Sequence, residues 1–209
     1  MSVMDKLIKK AKLGNKAANL ELGYRYDYGD GIKKNSKKAI FYYKIAAQLG
    51  SAAAQYNLGV CYREGIGVKK NAKQSIAWLR KSYRQGDSEA AADLGWSYIC
   101  GFGVKANSQV AVAYYKFAAR KKIPRAFFNL GLCCLEGDGV RKSVKKAEDY
   151  FLKAYKLKHA GAAYFLGRIY LGLEDNRKPL LKKGTGLIKW ANKNGHKSET
   201  ALIRNGKAS

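Results

Sequence analysis

Acidic side chains, proline, histidine and long apolar runs are all scarce in this chain of 209 residues. Asp and Glu number 15 against 41 Lys and Arg, which leaves a formal net charge of +26. A deficit of that size points to an anionic partner (an acidic protein, nucleic acid or a membrane surface) and says nothing about fold. Lys exceeds Arg about three to one. Lys is a hydrated point charge where Arg offers a planar fork, so solubility or genome composition competes with function as the origin of the charge. Only two prolines occur, Pro124 and Pro179, which argues against a disordered tail or linker. No stretch approaches the roughly 18 apolar residues of a membrane span. The residues up to Lys10 contain no signal-like apolar run. A soluble, cytoplasmic chain is expected; secretion without a cleaved signal is compatible with the sequence.

The two histidines, His159 and His196, complete no metal-ligand spacing, and no motif surrounds either. Ser/His/Asp and Cys/His catalytic arrangements have no basis here. Cys61, Cys100, Cys133 and Cys134 contain no C-x-x-C and read as buried free thiols, with Cys61 and Cys133 at one repeat position. No cofactor or metal is expected.

What the chain has instead is a period. Leu22-Gly23, Leu58-Gly59, Leu94-Gly95, Leu130-Gly131 and Leu166-Gly167 stand 36 residues apart without a slip. Leu13-Gly14 precedes Leu49-Gly50 by the same step, so residues 1–16 read as a capping half-unit with a helix from Asp5 to Lys12. Repeats are expected over 17–52, 53–88, 89–124 and 125–160, a divergent fifth over 161–197, and a C-terminal cap and tail over 198–209, with a short helix from Ser198 to Arg204. Each unit reads as two helices. The first, as in Ala53 to Glu64, carries small and apolar residues at helical spacing. Its mid-helix glycine costs about 1 kcal/mol against alanine, which implies a neighbouring helix too close for a Cβ. Gly65-Ile66-Gly67 stops the helix, with Val68 expected to bury in the turn. Asn35, Asn71, Asn107 and Ser143 are candidate N-caps of the second helix. That helix keeps one small position (Ala39, Ser75, Ala111, Ala147) and then a bulky pair: Tyr42-Tyr43, Trp78-Leu79, Tyr114-Tyr115 and Tyr150-Phe151. The fifth unit loses the paired glycines, gains Pro179 and gains one residue of register before Gly195.

Small residues, then L-G-x-x-Y-x-x-G-x-G-V, a cap, and K-A-x-x-Y-Y-K-x-A-A-x-x-G resemble the Sel-1-like repeat family, a relative of the tetratricopeptide repeat. The best copy runs from Ala17 to Gly50. The resemblance covers 17–197 and implies an all-α fold: a right-handed α/α superhelix, or solenoid, with the first helices lining its concave side. It also implies a non-enzymatic adaptor in protein complexes. The family commonly has Asp at the caps where this chain has Asn or Ser, which gives up an anionic contribution at the helix N-terminus.

Gly-x-Gly recurs at the repeat period after helices rather than strands, so it is a turn and not a dinucleotide fingerprint. The acid pairs Asp27/Asp30 and Glu136/Asp138 lie beside these turns in the same register. Two surfaces remain. Carried over from the family, the inward positions are Leu20, Tyr56, Ala92, Phe128 and Tyr164 in one row, and Tyr24, Val60, Trp96, Leu132 and Arg168 in the other. They are rich in the aromatic anchors that interfaces favour; the competing expectation is that they pack on one another and leave no groove. After each glycine turn comes a basic edge, Lys33-Lys34, Lys69-Lys70, Lys105 and Arg141-Lys142, with Arg177-Lys178 displaced in the last unit; a solvated face is the plain alternative. A second cationic group, including Arg80-Lys81, sits toward helix C-termini. The expected function is an adaptor that holds a protein, peptide or helix in the concave groove, with the basic edge favouring an acidic partner and the chain acting as a monomer. The alternative is nucleic-acid or anionic-surface binding through the lysine ladder.

Overall fold

The computed structural model describes residues 2–175 and 178–196. Among these it holds eleven α-helices and no strand. They are α1 (Val3–Lys12), α2 (Lys16–Tyr28), α3 (Ser36–Gln48), α4 (Ala52–Glu64), α5 (Ala72–Arg84), α6 (Ser88–Cys100), α7 (Ser108–Arg120), α8 (Pro124–Glu136), α9 (Val144–Lys156), α10 (Ala160–Tyr170) and α11 (Leu181–Lys193). Two compact units meet in sequence between Asn107 and Ser108. In the first, each helix from α1 to α6 packs on the next; in the second, each from α7 to α11 does so. The all-α, helix–turn–helix expectation holds. The helix expected over 198–204 and the displaced Arg177 lie outside the described residues.

Polar side chains start the helices at a fixed register. Ser2 and Asp5 form a reciprocal capping box that starts α1 two residues earlier than the sequence implies. Asn35, Asn71 and Ser143 accept the N–H of Lys38, Gln74 and Lys146 at the heads of α3, α5 and α9, as expected. Asn15, Ser51, Asp87 and His159 do the same for the first helices α2, α4, α6 and α10. Ile123 takes that register before α8, where Pro124 at the first helical position substitutes for a side-chain cap. The first helices α2, α4, α6 and α8 end on Gly29, Gly65, Gly101 and Gly137, all left-handed, with φ between 70° and 85°. The Asn35, Asn71, Asn107 and Ser143 N–H groups then bond the carbonyls of Tyr26, Tyr62, Tyr98 and Cys134, which closes each turn.

The mid-helix glycine sits against the second bulky residue of its own repeat. A Cβ on Gly23 would strike the Tyr43 ring, on Gly59 it would come within 2.8 Å of Leu79, and on Gly131 within 2.5 Å of Phe151. Each partner follows its glycine by twenty positions. Gly167 meets Ile188, one position later. The extra residue lies in the turn, where Leu180 N–H bonds the Tyr170 carbonyl across one more residue than in the other repeats. Around these contacts Leu22, Leu58, Leu94, Leu130 and Leu166 are at most 2% exposed. Burying each contributes about 1.5–3 kcal/mol.

The second glycine of each turn does a different job from the first. A Cβ on Gly67 would lie 2.5 Å from the Ser36 carbonyl oxygen, on Gly103 2.7 Å from that of Ala72, and on Gly139 2.5 Å from that of Ser108. It seats the turn against the head of the preceding repeat's second helix. Gly31, with no preceding repeat, meets only the tip of Arg25. Two expectations change. Val68 is half-buried, packed at the edge of the core cluster that holds Ile40, Leu58 and Cys61 and not inside it. Cys100 is exposed, unlike the buried Cys61, Cys133 and Cys134, because it shares the solvent-facing register of Tyr28, Glu64 and Glu136.

Candidate interaction surface

In the first unit the positions expected to face inward fall on α2, α4 and α6. Leu20, Tyr24, Tyr56 and Val60 are half-buried, Ala92 is buried, and Trp96 is 41% exposed. Helical geometry explains the contrast with the neighbouring leucines. Leu94 points into the core two residues before Trp96, a turn of roughly 200° about the helix axis. Tyr24 is held by two rings: it stacks on Tyr28 at 6.2 Å and meets Tyr43 edge-on at 5.8 Å. Trp96 has Phe102 at 5.6 Å and the Arg63 guanidinium over its face at 5.8 Å. Arg63 is itself fixed, donating from Nε to Glu64 at 2.7 Å and pairing through Nη1 with the buried Asp93 at 2.8 Å. Burial works against its charge, but the Asp93 and Glu64 carboxylates outweigh that and raise its pKa. Arg63 and Phe102 belong to this surface and are absent from the sequence-derived rows. No repeat partner shares their residue type, since their registers hold Asp27 and Ile99, and Asp30 and Ile66.

In the second unit the residues expected to face inward pack on rings of the core. Phe128 stacks on His159 at 4.5 Å and lies 5.8 Å from Phe165 and 5.9 Å from Phe151. Leu132 packs on the same core. Tyr164 lies tilted against His196 at 4.5 Å and stands edge-on to Phe165 at 5.6 Å. Arg168 bonds Glu174 at 2.6 Å and covers the Tyr164 and Phe165 rings at about 6 Å. Burial opposes its charge, yet the hydrogen bonds to Glu174 and Tyr164 raise its pKa. The structure therefore joins Phe128, Tyr164 and Arg168 through Phe165, which the sequence reading missed.

The histidines also change meaning. His159 is the cap of α10, and His196 stands one lengthened repeat further on, so both occupy the register of Asn15, Ser51 and Asp87. The fixed interval was the available signal. Burial first, and the charge of His196 second, hold the His159 pKa below its ordinary 6.5.

All seven basic-edge residues, Lys33, Lys34, Lys69, Lys70, Lys105, Arg141 and Lys142, are exposed, and none has an ion-pair partner among the described residues. Burial pushes the Cys61 and Cys133 thiols up to about 12, so neither supplies a thiolate near neutral pH. Among the described residues no cluster of His, Cys, Asp or Glu could hold a metal ion. No described helix is long and apolar enough to cross a membrane.

The family model for the Sel1 repeat matches residues 16–51, 52–87, 88–122 and 124–159, more than half of the chain. No curated protein matches. Among solved structures, a Sel1 repeat protein from Oxalobacter formigenes is 37% identical with a TM-score of 0.80, over 88% of this chain and 74% of that one. A protective antigen of uropathogenic Escherichia coli strains, c5321, which displays an SLR fold, is 28% identical with a TM-score of 0.83. That match covers 92% of this chain but spans only 41% of the antigen. The immunity protein PA5088 from Pseudomonas aeruginosa, 18% identical with a TM-score of 0.60 over 99% of this chain and 79% of that one, shares the fold. On the four matched repeats and the likeness to the Oxalobacter formigenes structure, the chain belongs to the Sel1 repeat family.

Proposed function

We propose that this chain is a scaffold of the kind Sel1 repeat proteins typically form, non-catalytic and mediating protein–protein interactions, and that it holds an acidic peptide or helix against the inward face of its first helices. The observation that carries the reading is Trp96. An indole left 41% exposed beside a fully buried Leu94, and braced by Arg63, is a preorganised anchor. Tyr24, Tyr56 and Val60 extend that face within the first unit; Phe128, Leu132, Tyr164 and Arg168 form the corresponding face of the second. The basic edge raises the association rate of an acidic partner and contributes less to its residence time.

Partner capture by the wild-type chain and by a Tyr56→Ala/Trp96→Ala variant tests this. The variant is expected to lose the captured protein while keeping its helical content. Phe128 is left intact because its contacts with Phe151 and Phe165 make it part of the core, and its loss would confuse folding with binding. Capture that is unchanged in the variant contradicts the reading. A nucleic-acid partner is the other outcome: it survives the double substitution, and its affinity falls by orders of magnitude between about 50 and 200 mM salt.

A further inference from the structure

The first unit contains a depression of about 500 Å³ where α5 faces the glycine turn that follows α6. Arg80, Tyr98, Lys105 and Asn107 line it together with Gly103, Val104 and Ala106, and none of the lining residues is acidic. Arg80 belongs to one repeat and Lys105 to the next, so packing of the two repeats brings together cations that are 25 positions apart. Arg80 Nη2 donates to the Tyr98 hydroxyl at 2.8 Å, which fixes the guanidinium at the rim. A guanidinium has five N–H groups in a planar fork, so holding the tyrosine leaves donors for a second oxygen ligand.

The same three-part arrangement recurs in the sequence. Lys44, Tyr62 and Lys69-Lys70 stand one period earlier; Lys116, Cys134 and Arg141-Lys142 stand one period later. In the second unit burial raises the Cys134 pKa, and the charges of Lys146 and then Lys116 oppose it. The basic edge is therefore double: turn cations on one side and second-helix cations on the other. Arg80 is the one position of the three that carries a fork instead of an ammonium.

We propose that the Arg80–Lys105 notch receives a side-chain carboxylate of the bound acidic segment, with Arg80 as its bidentate partner. Two cations and no acid favour an anion there, and a planar carboxylate matches the guanidinium fork. This rests on the reading of the partner as an acidic peptide, and its test needs neither the natural partner nor the inward face.

Amide resonances of the full chain are followed while an acetylated oligoglutamate peptide is added at about 150 mM salt, where exposed charges are screened beyond roughly 8 Å. The expected result is saturable shifts at Val104, Lys105, Ala106 and Asn107. Arg80→Gln and Arg80→Lys each weaken binding by about tenfold or more, the second because it keeps charge but loses the fork. Lys81→Gln changes nothing, since its ammonium lies over the Trp78 ring at 4.1 Å and outside the notch. Unsaturable shifts spread over every lysine-bearing turn, or shifts that persist in Arg80→Gln, overturn the proposal. Saturation by inorganic phosphate but not by the peptide overturns the carboxylate assignment in favour of a phosphoryl group. Loss of partner capture in Tyr56→Ala/Trp96→Ala is independent of all these outcomes, so the notch and the scaffold reading can fail separately.

Discussion

Gly59 gives up about 1 kcal/mol of helix propensity relative to alanine, and Leu79 fills the space its missing Cβ leaves. A methyl there would meet the Leu79 side chain at 2.8 Å and its backbone nitrogen at 3.3 Å, and a backbone atom cannot swing aside. Gly186, in α11, has no atom within 4 Å of its absent Cβ. The two glycines should therefore respond with opposite signs. Gly59→Ala is expected to lower stability by about 1–3 kcal/mol through overpacking, and Gly186→Ala to raise it by up to about 1 kcal/mol through propensity. Urea denaturation of the two variants checks both signs. The close contact at Gly59 was legible in the sequence, because five copies of an unfavourable residue demand a packing reason. The brace of Arg63 on Trp96 was not legible. It depends on Asp93, an acid that repeats neither one period before nor one period after, so periodicity conceals it.

At the element scale, the start of α10 depends on the protonation of a histidine. His159 Nδ1 accepts the Ala162 N–H at 3.2 Å, which requires a neutral imidazole. A proton on Nδ1 removes the cap and places positive charge at a helix N-terminus, each unfavourable by up to about 1 kcal/mol. An imidazolium over the Phe128 ring would recover part of that. Burial and His196 tip the balance toward the neutral form and hold the His159 pKa down. The sign follows. The unfolded chain takes up the proton at its ordinary value near 6.5, before the folded chain does. This contribution to stability is complete above that value and is lost as pH falls through the folded pKa. The expected outcome is a second unit less stable at pH 5 than at pH 7. His159→Asn, with the cap that Asn15 gives α2, removes that pH dependence while keeping the helix start. Amide exchange at Ala162 and Ala163, corrected for intrinsic rate, reports it directly; equal protection at both pH values would refute the cap's role. The first-helix caps were harder to read than the second-helix ones. Their register runs through Asn, Ser, Asp, Ile and His, types that share an acceptor or a favourable backbone rather than an appearance.

At the scale of the whole molecule the repeat period was the strongest signal, and it led directly to the all-helical fold and the family. Surface chemistry was only half legible. The turn lysines stand in consecutive positions and can be counted, whereas Arg80 joins them only when one repeat packs on the next. Sequence proximity had placed it with the helix-end cations. In the first unit the face of the first helices combines the exposed Trp96 with the ion-paired Arg63, so the account predicts contact there and, apart from the Arg80 notch, little on the second helices. Photo-crosslinking inside the cell tests this most directly, with a crosslinking residue placed at Val60 on α4 or, for comparison, at the exposed Lys73 on α5. The account predicts one discrete protein adduct from position 60, reduced when Trp96→Ala is added, and none from position 73. Adducts from position 73 alone, or from neither position, would contradict it.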